Sequence, residues 1–201
     1  MLMERRDMIS NTHRCLINLP HRTDKLDSSV VEIRKMFDIA NLFKIDGVIE
    51  ESPYLGIAQA HMNCIAFAKE AGLDRIIIME DDIEFRQGAK EYAIEAFNNV
   101  PSDWDVLLGG LYSTDKLTLY NEYWQRTDEF AGLHFYMVNS KAYDTILNFK
   151  KNMHIDRFMA GQGKLNCYVT NKFFAIQKPG HSDNVGMFRD YSDYLTKFDL
   201  L

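Results

Sequence analysis

The stretch Arg75-Ile76-Ile77-Ile78-Met79-Glu80-Asp81-Asp82 constrains this chain more than any other. An unbroken apolar run with three β-branched residues reads as a buried strand. The run empties directly into three carboxylates and resumes with Ile83. Carboxylates packed this closely repel one another, and each loses hydration as it is drawn toward a protein interior. Solvent or a cation has to relieve that cost. A hard divalent ion such as Mg2+ or Mn2+ takes oxygen ligands and is held by one or two carboxylates together with substrate phosphates. In an α/β sheet, ligands also gather at the carboxyl ends of strands. Two readings of the tripeptide therefore stand side by side, a metal–diphosphate site and a solvated acidic turn.

Strand and helix signals alternate around that run. Residues 14–20 read as a first strand stopped by Pro20, and residues 21–27 as a polar loop. Ser29-Val30-Val31-Glu32 has capping-box spacing and opens a predicted helix with an apolar stripe of Ile33, Met36, Phe37 and Ala40. Residues 42–47 alternate as a short strand. From Ile57, the positions Ala60, Cys64, Ile65, Ala68 and Ala71 repeat at helical spacing until Gly72. A further helix carries Ala89, Tyr92, Ala93, Ala96, Phe97 and Val100 and stops at Pro101, and residues 105–110 form a buried strand with a Gly109-Gly110 exit. This alternation predicts parallel βαβ units in a layered α/β sandwich.

The second half is less regular. Residues 111–130 are polar and aromatic without periodicity, which predicts a loop over the cleft. His134-Phe135-Tyr136-Met137-Val138 reads as a strand, and Ser140 as the cap of a helix bearing Ala142, Tyr143, Ile146 and Leu147. One more strand falls within residues 167–177, and Pro179-Gly180 turns the chain into a loose tail.

The totals exclude several classes. At 201 residues with no repeat or linker, one domain is expected. Apolar content of 46% with 26% charged residues is that of an ordinary soluble globule. The formal charge of −6 argues against nucleic acid as the main partner. No apolar stretch approaches the ~18 residues of a membrane span. The start, Met1-Leu2-Met3-Glu4-Arg5-Arg6-Asp7, has no apolar core of a secretory signal. Cys15, Cys64 and Cys167 are odd in number and widely spaced, as expected for reduced thiols of a cytoplasmic protein rather than a disulfide frame or zinc site. The 13 Phe and 10 Tyr suit either a large core or a sugar-binding cleft.

In order along the chain, Ile17-Asn18-Leu19 with His21-Arg22-Thr23-Asp24-Lys25, Gly56-Ile57-Ala58-Gln59-Ala60-His61, Ile78-Met79-Glu80-Asp81-Asp82-Ile83, residues 132–143, His154-Ile155-Asp156 and Ser182-Asp183-Asn184 together resemble glycosyltransferase family 25. That is the family of bacterial lipooligosaccharide and collagen galactosyltransferases. The chain departs from the family pattern at Ala60, where a Ser usually precedes the His, and at His154, where a small residue or proline is expected. The resemblance implies a GT-A (Rossmann-like) fold with a mixed, mainly parallel sheet sandwiched by helices. It further implies a single domain over residues 1–201, with a nucleotide-sugar-binding half at 14–110 and an acceptor half with a C-terminal tail at 111–201. The implied activity is metal-dependent, inverting transfer of a hexose, with galactose the named candidate, from a nucleotide diphosphate sugar (a UDP-sugar first) to a glycan or glycoconjugate hydroxyl. Such an enzyme would serve polysaccharide biosynthesis in the cytoplasm. The alternative is a GT-A-like sugar-nucleotide or glycan-binding protein without turnover.

Such a transfer needs neutralisation of the leaving diphosphate, a base for the acceptor hydroxyl and a held sugar. Asp82 is the first expected ligand of Mn2+ or Mg2+. Glu80 or Asp81 is expected to face the ribose or the metal's waters; because a strand sends alternate side chains to opposite faces, Glu80 should share the side of Asp82 as the second residue around donor and metal, with Asp81 turned into structural hydrogen bonds. His181, with Asp183 beside it, is the candidate to complete the metal shell from the tail. Asp156 is the expected general base, with an N-cap role as its structural alternative. Arg22 and Lys25 are expected at the phosphates, and Asn18 and Leu19 at the base through backbone contacts. Gly110 would let the backbone approach the sugar. His61 reads as a hydrogen-bonded brace of the acidic loop. Tyr112, Tyr120, Tyr123 and Trp124 read either as sugar-stacking rings or as anchors of the long loop.

Overall fold

The computed structural model describes residues 8–114, 116–183 and 186–201; residues 1–7 and Asn184 of the Ser-Asp-Asn parallel lie outside the described residues. The first half runs β1 (Arg14–Asn18), α1 (Thr23–Ile33), β2 (Leu42–Asp46), α2 (Pro53–Glu70), β3 (Arg75–Glu80), β4 (Ile83–Phe85), α3 (Ala89–Asn98) and β5 (Val106–Leu108). The second half runs β6 (Ser113–Thr114), β7 (Leu117–Leu119), β8 (Trp124–Thr127), β9 (Phe130–Ala131), β10 (Phe135–Asn139), α4 (Tyr143–Leu147), α5 (Ile155–Ala160), β11 (Cys167–Thr170), β12 (Ala175–Gln177), β13 (Gly180–Ser182), β14 (Met187–Arg189) and α6 (Ser192–Leu195).

Eight strands form one sheet in the order β2-β1-β3-β10-β5-β11-β8-β7. Strands β10 and β8 pair antiparallel with their neighbours, and the other six run in one direction. The fold is therefore mixed α/β with a mainly parallel sheet between helices, as expected. Strand alternation splits the core between the two faces. Ile76 and Ile78 pack with Cys64, Ile65 and Ala68 of α2, whereas Ile77 and Met79 pack with Ile33 of α1 and Ala93 and Phe97 of α3. Burial on both sides is why β3 carries an unbroken apolar run instead of an alternating one.

Several expected elements are corrected. Helix α1 starts at Thr23 and covers most of the segment read as a polar loop, so Ser29 and Glu32 are not a capping box. Ser29 is buried and its Oγ donates back to the Leu26 carbonyl at 2.9 Å. The Glu32 carboxylate reaches across the structure to accept the Phe85 backbone N–H at 2.7 Å. Asn139, not Ser140, caps the turn before α4, its side chain accepting the Lys141 N–H at 3.2 Å. Residues 111–130 are no plain loop, because β7 and β8 extend the main sheet and β6 pairs β9. Trp124 is fully buried there, its indole N–H donating to the Ala96 carbonyl at 2.8 Å. The tail after Pro179 folds into the β13–β14 hairpin and α6.

Two glycines are required where the second half meets the first. A Cβ on Gly110 would stand 2.1 Å from the Ala175 carbonyl oxygen, so β12 lies directly on that backbone. Gly132, at φ +117°, occupies a conformation that side-chain-bearing residues rarely adopt. Replacing Gly110 by Ala should overpack this contact and lower stability by about 1–3 kcal/mol, read as a lower urea midpoint at unchanged slope.

Candidate functional site

The carboxyl ends of β2, β1 and β3 stand side by side, since Ile17 pairs with both Ile45 and Glu80, and Asn18 pairs with Asp46. A cavity of about 460 Å³ opens over this edge and is lined by Asn18, Leu19, Lys25 and all three acidic residues. A smaller cavity of about 220 Å³ shares Lys25, Asp81 and Asp82 with it. Within one cleft these residues meet at the place an α/β sheet offers to ligands.

Each carboxylate of the corner has its own support. Glu80 ends β3 and contacts Nε2 of His61 at 3.1 Å, while Nδ1 of that ring meets the Tyr136 hydroxyl at 2.8 Å. His61 is buried, as expected of a brace. Burial alone would raise the Glu80 pKa, but the His61 hydrogen bond and charge, with His134 and Lys25 farther off, hold it below the ordinary carboxylate value. Asp81 accepts 2.7 Å from the Asn18 amide and lies 3.6 Å from the Lys25 ammonium, yet burial still raises its pKa. Asp82 accepts 2.6 Å from the Gln177 amide on one oxygen. Its other oxygen, Oδ1, is shut off from solvent and has no hydrogen-bond partner. Burial first, and then the charge of Glu80, push the Asp82 pKa up to about 7. The end of β3 and the turn that follows it present all three acids to the cleft, so Asp81 is both a structural acceptor and a lining group.

The basic candidates flank the acids. Lys25 lies between Asp81 and Asp183, 3.5 Å from the latter, and lines both cavities. Arg22 lines the smaller cavity only and is engaged by Asp24 at 2.8 Å and by Asp183. The Asn18 side chain is not idle, since besides Asp81 it donates to the Arg22 carbonyl at 3.0 Å. His181 is exposed on β13 and lines the smaller cavity beside Asp82. Among the described residues, no three His, Cys, Asp or Glu side chains gather into a metal-holding cluster, so Asp82, Glu80 and His181 do not meet as a preformed trio.

Asp156 lines the far wall of the larger cavity at the second position of α5. The N-cap is His154, so the capping alternative is not met in its simple form. Asp156 instead accepts the Gly132 N–H at 3.1 Å and the Arg157 N–H at 2.8 Å. Gly110 is a correction. It is buried and lines neither cavity, and the backbone that it admits is that of Ala175, not a ligand. Of the four aromatic candidates only Tyr112 lines the cleft, because Trp124 belongs to the core. Tyr112 stacks on Tyr191 at 4.8 Å, and Tyr54 meets His154 at 5.4 Å, both pairs bordering the cavity. Tyr54, Tyr191 and Gln177 are cleft residues that the sequence analysis did not name. Gln177 had a signal, a polar residue closing an apolar Ala175-Ile176 strand much as Glu80 closes β3.

No protein-family model matches the chain, and no curated protein matches it significantly. Family 25 therefore stays a resemblance. Among solved structures, A197 from STIV aligns over 85% of this chain and 95% of its own at 11% identity, with a TM-score of 0.51. That likeness shows the fold alone. HddC from Yersinia pseudotuberculosis aligns over 93% of this chain and 79% of its own at 13% identity and a TM-score of 0.48. The mannosyltransferase PcManGT from Pyrobaculum calidifontis, solved in complex with GDP-Man and Mn2+, aligns over 78% and 53% at 6% identity and a TM-score of 0.47.

The raised Asp82 pKa has a signed consequence. A carboxyl whose pKa rises on folding contributes its full stability only below its unfolded value, and the contribution is lost as pH climbs through the folded value. For Asp82 that window runs from the ordinary 3.8 to about 7. In EDTA, Asp82→Asn should therefore melt higher than the native chain at pH 8, and the difference should shrink at pH 5.

Proposed function

We propose that this chain is a metal-dependent glycosyltransferase that transfers a hexose, with inversion, from a nucleotide diphosphate sugar to a glycan or glycoconjugate hydroxyl in polysaccharide biosynthesis. One observation carries the reading. Asp82 lines the cleft beside two further acids at the carboxyl end of a parallel strand, and one oxygen of its carboxylate is buried and unpartnered. Leaving such an atom unpaired is costly unless something binds there. Oxygen donors of this kind fit a hard ion, Mn2+ or Mg2+, whose remaining positions are taken by water and substrate phosphates rather than by a third protein ligand. Asp82 and Glu80 would hold it, with His181 of β13 the candidate from the tail. When bound, the ion supplies charge neutralisation to the departing diphosphate.

The chain's own residues would do the rest. Lys25 and Arg22 would receive phosphate oxygens in place of the Asp183 carboxylate they now contact. Asn18 and Leu19 would border the base, for which uracil is the first candidate. Asp156 would take the proton of the acceptor hydroxyl. Solved structures of lower similarity include a mannosyltransferase in complex with GDP-Man and Mn2+ and a galactosyltransferase mutant in complex with manganese and UDP-Gal. No helix among the described residues is long and apolar enough to cross a membrane.

One observation favours the non-catalytic alternative, since both Asp156 oxygens already accept backbone N–H bonds, which gives this carboxylate a structural task. One experiment separates the two. Melting curves with UDP-, GDP- and dTDP-sugars, with and without Mn2+, should show a stabilising donor only when metal is present, by about 2.7 kcal/mol at a hundredfold excess over Kd. Release of the nucleoside diphosphate should vanish in Asp82→Ala. Asp156→Asn should keep donor binding and lose transfer by about 10²–10⁴-fold. Donor binding without turnover under any acceptor would leave only a binding module.

A further inference from the structure

Gln177 holds no role in the reading above, yet it grips the decisive carboxylate. It closes β12, which pairs antiparallel with β4 so that Gln177 stands opposite Ile83, the residue after Asp82. The next backbone amide, Lys178 N–H, donates to the Asp82 carbonyl at 2.7 Å. The backbone of the acidic turn and the Asp82 side chain are thus gripped by the same strand end. The side-chain grip is one-sided, because the amide donates to Oδ2 at 2.6 Å while Oδ1 is buried and unpartnered.

From this asymmetry we infer that Gln177 is the positioning residue of the cation site. By engaging Oδ2 it fixes the rotation of the Asp82 carboxylate so that Oδ1 is the oxygen offered to a divalent ion. The inference rests on the metal reading proposed above. A carboxamide suits the task, since it supplies a strong directional donor without the positive charge that would repel the ion. The strand that carries it is itself anchored. The N–H groups of Phe174 and Ala175 both donate to the Gly109 carbonyl, at 3.0 and 3.2 Å. The His134 Nε2 contacts the Ala175 carbonyl at 3.0 Å, the same oxygen that a side chain on Gly110 would strike. Gly110 therefore serves the site indirectly, by letting β12 lie close enough for Gln177 to reach Asp82.

Removing an outer hydrogen-bond partner of a metal ligand costs about 10–100-fold in metal affinity. Mn2+ binding, followed by electron paramagnetic resonance without nucleotide and again with UDP, should therefore weaken by about that factor in Gln177→Leu. The melting temperature in EDTA should fall, because Oδ2 loses its donor, and the spectrum of bound Mn2+ should change, which loss of stability alone would not cause. Gln177→Met, of similar length and without a donor, should repeat the result and stands in where the leucine variant does not fold. If native protein binds Mn2+ and a folded variant binds it within twofold, with the same spectrum, the positioning role is overturned and the metal reading survives. If the native chain binds no Mn2+ under either condition, both fall.

Discussion

Three carboxylates on consecutive residues at the end of one buried strand set the electrostatic problem that the surrounding structure answers. Their mutual repulsion and lost hydration act against folding. The structure does not cancel the charges with a single cation. It supports each acid from a different element: Glu80 from α2 through His61, Asp81 from β1 through Asn18 and from α1 through Lys25, Asp82 from β12 through Gln177. Of the three acids only Asp82 keeps a buried oxygen without a partner. The compensation is incomplete at one atom, and the proposed cation would complete it there.

The scaffold follows from the same demand. Parallel strands β2, β1 and β3 place their carboxyl ends in one row, which brings Asn18 beside Asp81. Insertion of the antiparallel β10 between β3 and β5 then delivers the segment entering β10, with its His134 carbonyl accepting the Glu80 N–H at 3.2 Å, to the same row. A wholly parallel sheet would have placed the start of β10 at the far end of the molecule. The sheet is mixed because both ends of the second half's chain must serve one cleft.

What the sequence disclosed, and what it hid, divides along contact range. The acidic corner and the helix carrying His61 are contiguous patterns, apolar run then charge, and heptad-like small residues, so both could be read directly. The supports for Asp81 and Asp82 join residues 63 and 95 positions apart, and no local spacing encodes them. Ser29 and Glu32 mislead because the same spacing serves a cap or, as here, a carboxylate reaching 53 residues away to Phe85. Strands β7 and β8 escaped notice because they lie at the sheet edge, where β7 is largely exposed and an alternating apolar face is not required. The need for glycine at Gly110 was legible from its place after a strand, but the partner that imposes it, the Ala175 carbonyl, comes from a strand more than sixty residues on.

The two chemical ends of the cleft are joined by a short piece of backbone. Gly132 donates to Asp156 at 3.1 Å, and two residues later the His134 carbonyl receives the Glu80 N–H. The separation between the carboxylate assigned to the acceptor and the acids assigned to the donor is therefore set by residues 132–134, not by the packing of flexible side chains. Gly132 can fill this place because its φ of +117° turns the chain sharply and because a Cβ there would press on Tyr112, 3.0 Å away. Tyr112 in turn stacks on Tyr191 from the C-terminal segment, so the hairpin and tail are seated on the same hinge of structure. A side chain at Gly132 would disturb the seat of the tail and the hydrogen bond to Asp156 together, so this backbone turn ties the C-terminal segment to the cleft.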